Sequence, residues 1–299
     1  MILVCGATGE LGGRIVRLLV AEGQKVRALV RPATDATGLE HGGAEVVRGD
    51  LRDAETLGPA LAGVDTVVTT ANALGRILEG STDLTIASVD GQGTQNLIRA
   101  AERAGVRRFV LVSAAGITED TARLSPLMAA KWAAEKALRA TSMDVVIVRP
   151  DMFQEVWLAP LTGIDPKAGK ALIYGSGELQ HRYVAIDDVA ELCAHVAVAP
   201  DPPARVEFGG PEALSRMEVV AAFESATGAK LTVRHVPRTA MSIGHRVLAR
   251  IKPEVASLMG VALFSDTHAD SWDDAPLREA GIDPRPASAF IRESVGSMR

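Results

Sequence analysis

The turn Gly6-Ala-Thr-Gly9-Glu-Leu-Gly12-Gly13 constrains the fold of this chain more than any other stretch. It directly follows a β-rich apolar run over 1–5 (MILVC) and leads into a helical pattern over 11–22. Glycines at this spacing allow a tight strand-to-helix turn and a close backbone approach. The helix start adds unpaired N–H groups and positive partial charge, which together suit a pyrophosphate. Such glycines alone also mark ordinary tight turns, but here strand, turn, helix and next strand (26–30, VRALV) all match a dinucleotide-binding unit. Gly6, Thr8, Gly9, Glu10, Leu11 and Gly12 are therefore the first candidate cofactor contacts.

The pattern continues through residue 150. Apolar runs over 44–48, 65–70, 108–113 and 144–149 alternate with helical patterns over 53–62, 84–104 and 126–141. Uninterrupted Val, Ile and Leu suit strands covered on both faces, so six such runs predict an α/β, Rossmann-type doubly wound parallel sheet. After Pro150, breaks marked by proline and glycine predict a smaller mixed α/β lobe. Its helices are expected near 187–199, 215–227, 240–251 and 286–297, with strand-like pieces at 205–208 and 230–235. The expected division is thus a nucleotide-binding domain over 1–150 and a substrate or partner lobe over 151–299 that is not fully independent.

Composition narrows the functional classes. With 47% hydrophobic and 23% charged residues and a net charge of −5, the chain lacks the basic field of a nucleic-acid binder. Arg103, Arg107 and Arg108 form the nearest basic cluster, and with Glu102 beside them they read as a solvated surface. No apolar run approaches the roughly 18 residues of a membrane span, and 1–5 is too short for a signal-peptide core, so no membrane partner and a cytoplasmic location are expected. Cys5 and Cys193 read as small buried hydrophobes. None of the six histidines has zinc-ligand spacing, so no metal is expected.

Further candidates sit where parallel strands end, which is where open sheets bind ligands. Val30 and Arg31 close the second strand, at a place where an NAD-preferring sheet usually carries an acid. A guanidinium there can pair with a 2′-phosphate, and a charge-assisted hydrogen bond of roughly 1.5–3 kcal/mol favours NADP(H) over NAD(H) by about ten- to a hundredfold. Otherwise Arg31 is an exposed strand-end cation; Asp35 can still reach a ribose. Asp50 and Leu51 follow the third strand, where Asp50 either accepts from the adenine amine or caps the helix near Asp53. Thr70, Ala71 and Asn72 follow the fourth.

These residues resemble the NmrA-like, atypical branch of the short-chain dehydrogenase/reductase superfamily, which includes quinone-reductase-like and isoflavone-reductase-like proteins. The resemblance covers nearly the whole chain. It is carried by GATGELGG, by VRALVR ending in Arg31, and by VDGQGTQNLIRAAERAGVRRFVLVSAAG from Val89 to Gly116. It continues in Lys131-Trp-Ala-Ala-Glu135, VIVRPDMF from Val146 to Phe153, YVAIDDVA from Tyr183 to Ala190 and FGGPEALS from Phe208 to Ser215. The resemblance implies NADP lying along the strand ends and a C-terminal lobe closing one side of a substrate cleft.

The departures from the superfamily bear on chemistry. Its ordinary members use Tyr-x-x-x-Lys, the lysine lowering the tyrosine pKa. Here position 127 is Leu127, and Tyr174 and Tyr183 precede Glu178 and Asp187 by four residues, so the motif is absent. Epimerase, dehydratase and simple alcohol-dehydrogenase chemistry are thereby disfavoured. By resemblance, the catalytic candidates are Ser113 and Lys131, with Lys131 also a ligand of the nicotinamide ribose. On residue grounds alone, Lys131 equally forms an i,i+4 pair with Glu135, and Ser113 equally satisfies loop backbone.

Pro150, Met152 and Phe153 stand where the family places the wall against the nicotinamide, with Asp151 where relatives often have glycine. Met152, Phe153 and Trp157 read as an apolar cleft lining, or Phe153 and Trp157 as packing between lobes. Asp187 and Asp188 read as helix caps. Two functions fit this reading. One is an NADPH-dependent reductase of a small conjugated acceptor such as a quinone or azo compound; the other is a non-catalytic NADP(H) sensor with a regulatory protein partner, which should leave an exposed apolar patch on the C-terminal lobe. A homodimer is compatible with either.

Overall fold

The computed structural model describes residues 1–78, 80, 81 and 83–296. The first six strands are β1 (Ile2–Cys5), β2 (Val26–Val30), β3 (Glu45–Arg48), β4 (Thr66–Thr69), β5 (Arg108–Val112) and β6 (Asp144–Pro150). They are followed by β7 (Ile164–Asp165), β8 (Lys170–Tyr174), β9 (Gln180–His181), β10 (Arg205–Phe208), β11 (Leu214–Ser215) and β12 (Thr232–Val236). The chain forms two compact units. One comprises Met1–Ala122, Pro126–Arg149 and Val189–Val206; the other comprises Arg123–Ser125, Pro150–Asp188 and Glu207–Arg299.

The main sheet has seven strands in the order β10-β6-β5-β4-β1-β2-β3. All pairings from β6 through β3 are parallel, with Cys5 beside both Leu29 and Thr69. This is the doubly wound arrangement expected. Because β1 lies between β2 and β4, successive crossovers leave it in opposite directions and open a crevice at its carboxyl end. Leu3, Val4 and Cys5 are completely buried, as double-sided cover requires. Below them Leu57, Leu61, Val67, Leu97, Ile98 and Phe109 form one apolar core.

Two departures in this unit have physical reasons. The helix expected over 84–104 opens into a π-helical turn, Ala87–Gly93, before the α-helix Thr94–Arg103. Gly93 there lies so close to Leu51 that an added Cβ would meet the leucine Cβ at 3.0 Å. Arg108, read from sequence as solvated surface, is fully buried. Its guanidinium donates to Asp144 Oδ2 at 2.7 Å and to the carbonyls of Val196 and Ala199 at 3.1 and 2.5 Å. It thus satisfies orphan carbonyls where the helix Ile186–Val198 ends.

The second unit contains a three-stranded sheet, β12-β8-β7, and the antiparallel pair β11-β9. Its core gathers Met152, Ile164, Ile173, Tyr183, Val219, Phe223 and Ile291. Ser215 and Glu218 form a reciprocal capping box at the start of the helix Arg216–Thr227, which ends at Gly228 with φ +73°. The helix Pro253–Thr267 was not anticipated, because Pro253 reads as a break; proline in the first turn equally starts a helix. It packs beside the helix Arg238–Leu248, and Gly260 contacts the Leu124 carbonyl oxygen so closely that an added Cβ would sit 1.8 Å from it.

Candidate cofactor and active site

The glycine turn is built by contacts that exclude larger residues. Gly6 has φ +86°, and a Cβ there would sit 2.6 Å from Thr70 Oγ1. On Gly12 a Cβ would sit 2.2 Å from the Gly6 carbonyl oxygen and 2.9 Å from Thr70 Oγ1. Gly9 donates to the Gly6 oxygen at 3.0 Å and precedes the helix Glu10–Ala21 without any side-chain cap. The helix start is therefore left with unsatisfied donors facing an open turn, in which Thr8, Gly9 and Glu10 are exposed and Leu11 is half-buried. Thr70 donates its amide to Cys5 at 3.0 Å, tying the end of β4 to that of β1. Asn72 caps the Leu74 amide, and Ala71 lies between them against Gly6.

Beyond β2 and β3 a cavity of about 680 Å³ is lined by Arg31, Thr34, Asp50, Arg52, Asp53 and Asp83, among others. Arg31 is 37% exposed and reaches Asp83 at 3.4 Å. Arg52, which the sequence reading missed, is a second cation in the same wall. Asp50 accepts from the Arg52 amide at 2.9 Å and from its Nη2 at 2.7 Å. Although burial opposes it, this pairing holds the Asp50 carboxyl below the usual range. The cap at the next helical turn is instead Asp53, which accepts from Glu55 at 3.1 Å. Leu51 is buried, with its carbonyl taken by Asn96. The doublet Asp50-x-Arg52 just past a strand end was the signal available for Arg52.

Lys131 and Ser113 lie at the end of β5 but have different partners. Lys131 is half-buried on the helix Pro126–Arg139 and donates its Nζ to the Val112 carbonyl at 3.0 Å. Burial pulls its ammonium below the ordinary lysine range, against the attraction of Asp90 and then Glu135. Asp90, in the π turn, is buried and accepts from the Ala73 amide at 3.0 Å. Burial raises its carboxyl, and Lys131 opposes this. Ser113 donates to Glu135 at 2.6 Å, and that carboxylate also receives Arg149 at 2.7 and 2.9 Å and Arg139 at 2.6 Å. Ser113 is thus committed to a buried ionic network.

Pro150, Asp151, Met152 and Phe153 belong to the second unit. Met152 is buried in that unit's core, and Trp157 is half-buried at its edge. Phe153 is half-buried and bridges in parallel to Val184. Asp188 accepts from the Arg285 amide, while Glu155 receives the first amide of the helix at Ile186. Cys5 and Cys193 are buried free thiols, each pushed up to about 12 by burial. Tyr183 is likewise buried and pushed up to about 12.

The fold also assembles a group that sequence spacing could not reveal. Asp151, His181 and Asp270 place ligand-type atoms within 4.8 Å of one another, a set able to hold a metal ion, although no metal was expected. Their oxygens already accept N–H groups. Asp151 takes those of Arg182, Met152 and Trp272 at 2.9, 2.7 and 3.1 Å, and Asp270 lies 3.2 Å from His181 Nδ1. Burial, then the neighbouring Asp270, raises the Asp151 carboxyl well above its usual range, so the pair resembles two acids sharing a proton.

Comparison with known proteins agrees with this geometry. Residues 6–200 match the sequence profile of an NAD(P)H-binding family. The photosystem II assembly factor Ycf39 of Synechocystis is 30% identical over 99% of this chain and 91% of its own length. An NAD(P)H azoreductase of Xenophilus azovorans is 32% identical over 76% of this chain and 74% of its own. Among solved structures, the NADPH-dependent quinone oxidoreductase of Escherichia coli, complexed with NADPH, superposes with a TM-score of 0.77, covering 100% of this chain and 99% of that one at 19% identity. A doubly wound sheet, a glycine turn at its switch point and this profile match have one common explanation: the chain belongs to the NAD(P)H-binding, NmrA-like family.

Proposed function

We propose that this protein is an NADPH-dependent reductase that delivers hydride to a small, flat, conjugated acceptor of the quinone or azo class. The observation that carries the reading is Lys131: a half-buried ammonium at the end of β5, in the same unit as the glycine turn, its Nζ held by the Val112 carbonyl and its pKa lowered by burial. The cofactor fits the residues present. Gly6 and Gly12 hold the turn so tightly that a Cβ on either would clash with Thr70 or the Gly6 carbonyl. This keeps the backbone at the helix start open to a diphosphate, and Arg31 and Arg52 wall the cavity beyond it. In this reading the helix start at Glu10 holds the diphosphate, and Arg31 with Arg52 holds a 2′-phosphate, which favours NADP(H) over NAD(H). Thr70, Ala71 and Asn72 border the turn.

NADPH, when bound, supplies the hydride. Lys131 then needs only to hold one proton at Nζ and release it to the acceptor oxygen or nitrogen that gains the electron pair. Delocalisation in a quinone or azo acceptor stabilises that charge, so no tyrosine acid is required. Ser113 and Glu135 position the helix that carries Lys131. The azoreductase relative supports this substrate class.

A second reading is favoured by the assembly-factor relative, which matches nearly the whole chain. In it the same site binds NADP(H) and reports occupancy to a protein partner. No helix among the described residues is long and apolar enough to cross a membrane. The separating experiment follows oxidation of NADPH and NADH against quinones, azo compounds and conjugated ketones. The reductase reading expects turnover, with NADPH preferred by about ten- to a hundredfold and that preference lost in Arg31→Ala/Arg52→Ala. Tight NADP(H) binding without oxidation by any acceptor overturns it in favour of the sensor.

A further inference from the structure

The helix Arg238–Leu248 has two unlike faces. On one, Met241 and His245 are buried, and Gly244 lies against Met259 so closely that an added Cβ would be 2.5 Å from its Sδ. On the other, Ile243, Val247 and Ile251 are 64%, 59% and 72% exposed. They recur every fourth residue, and Ile251 extends the row into the turn after the helix, where its amide bonds Leu248 at 3.0 Å. Arg246, Arg250 and Lys252 are exposed along the same stretch, and no acidic residue occurs from Arg238 to Lys252. Single exposed aliphatic side chains are ordinary; a row of three edged by three cations is not.

We propose that this ridge docks the protein on an anionic lipid surface. The helix would lie in the plane of the interface, with Ile243, Val247 and Ile251 entering the boundary between headgroups and acyl chains and Arg246, Arg250 and Lys252 meeting lipid phosphates. Charge complementarity selects this occupant. A second copy meeting the ridge about a two-fold axis would gather both copies' cations into one seam with no acidic residue of the ridge to offset them. A nucleic acid would leave the aliphatic row unused. The opposite face is already packed, so the helix is not available to be engulfed. A bilayer needs neither shape complementarity nor a large patch, and no spanning segment.

The test is vesicle flotation of the full chain with phosphatidylcholine alone and with phosphatidylcholine mixed with phosphatidylglycerol. The intact protein is expected to float with the mixed vesicles only, and raised salt should release it. Each cation near such a surface is worth roughly fivefold in partition, so Arg246→Gln/Arg250→Gln/Lys252→Gln should lose on the order of a hundredfold. Ile243→Ser/Val247→Ser/Ile251→Ser should also stay unbound. All six positions are exposed, so both variants should keep the parent melting temperature and NADPH oxidation, which separates this result from the fate of the reductase reading. Absence of the intact protein from the mixed vesicles overturns the proposal. So does flotation that survives both variants, or a dimer in solution that dissolves on Ile243→Ser. Binding to polyglutamate without flotation would assign the ridge to an acidic protein instead.

Discussion

Lys131 is held between opposing demands. Burial favours the neutral amine, Asp90 and Glu135 favour the ammonium, and burial prevails, so the side chain gives up its proton below the ordinary lysine value of 10.5. If that proton reaches the acceptor, the active form is the ammonium, and kcat falls as pH rises through the lowered pKa. The basic limb of the profile should therefore lie below the ordinary lysine range. Lys131→Ala should lose on the order of 10²–10³ in kcat, within the usual span for a positioned acid. Lys131→Arg, which keeps the charge but cannot release it, should be similarly slow and lose the basic limb. Isothermal titration should find the NADPH Kd changed by only a few fold in both. An unchanged kcat in Lys131→Ala would remove the lysine from the mechanism.

At the scale of elements, the glycine turn makes the strictest demand on sequence. Gly12→Ala puts a Cβ 2.2 Å from the Gly6 carbonyl oxygen, so the turn between β1 and the helix Glu10–Ala21 has to open. The expected result is a loss of roughly 1–3 kcal/mol of stability from overpacking, together with loss of NADPH binding. Chemical denaturation and cofactor titration of the same preparation check both; wild-type affinity would mean that the turn does not cradle the cofactor. This turn was legible because its contacts are local: β1, Gly6 to Gly12 and the helix start follow one another in the chain. The six parallel strands were legible for a similar reason, since each buried run carries its own apolar signature. Arg108 was misread because its partners, Asp144 and the carbonyls of Val196 and Ala199, come from distant segments. Ser113 could not be told from a free hydroxyl until Glu135 and Arg149 were seen to enclose it. The helix Pro253–Thr267 was lost to the double meaning of proline, a breaker inside a helix and a starter at its first turn.

Across the whole molecule, buried acids set two opposite slopes in stability against pH. Asp266 belongs to the first kind. Burial works against its charge, but Arg238 and the amides of Gly177 and Ser176 hold its carboxyl below the usual range. Its contribution is therefore present above the ordinary carboxylate pKa and is lost as pH falls through the lowered one. Asp151 is of the second kind. Burial and the adjacent Asp270 raise its pKa, so the folded protein keeps a proton that the unfolded chain releases. Its contribution is full below the ordinary pKa of about 4 and is lost as pH rises through the raised value. The two together predict a stability maximum on the acid side of neutrality rather than a plateau. Asp151→Asn removes the titrating carboxyl and sets a neutral amide beside Asp270 at any pH. Thermal melts between about pH 4 and 8 should show the variant more stable near neutrality by a few degrees, at roughly 2–4 °C per kcal/mol for a domain of this size. That advantage should vanish toward pH 4, where the parent carries the proton itself. Parallel profiles for parent and variant would mean that Asp151 and Asp270 do not share a proton in the folded protein.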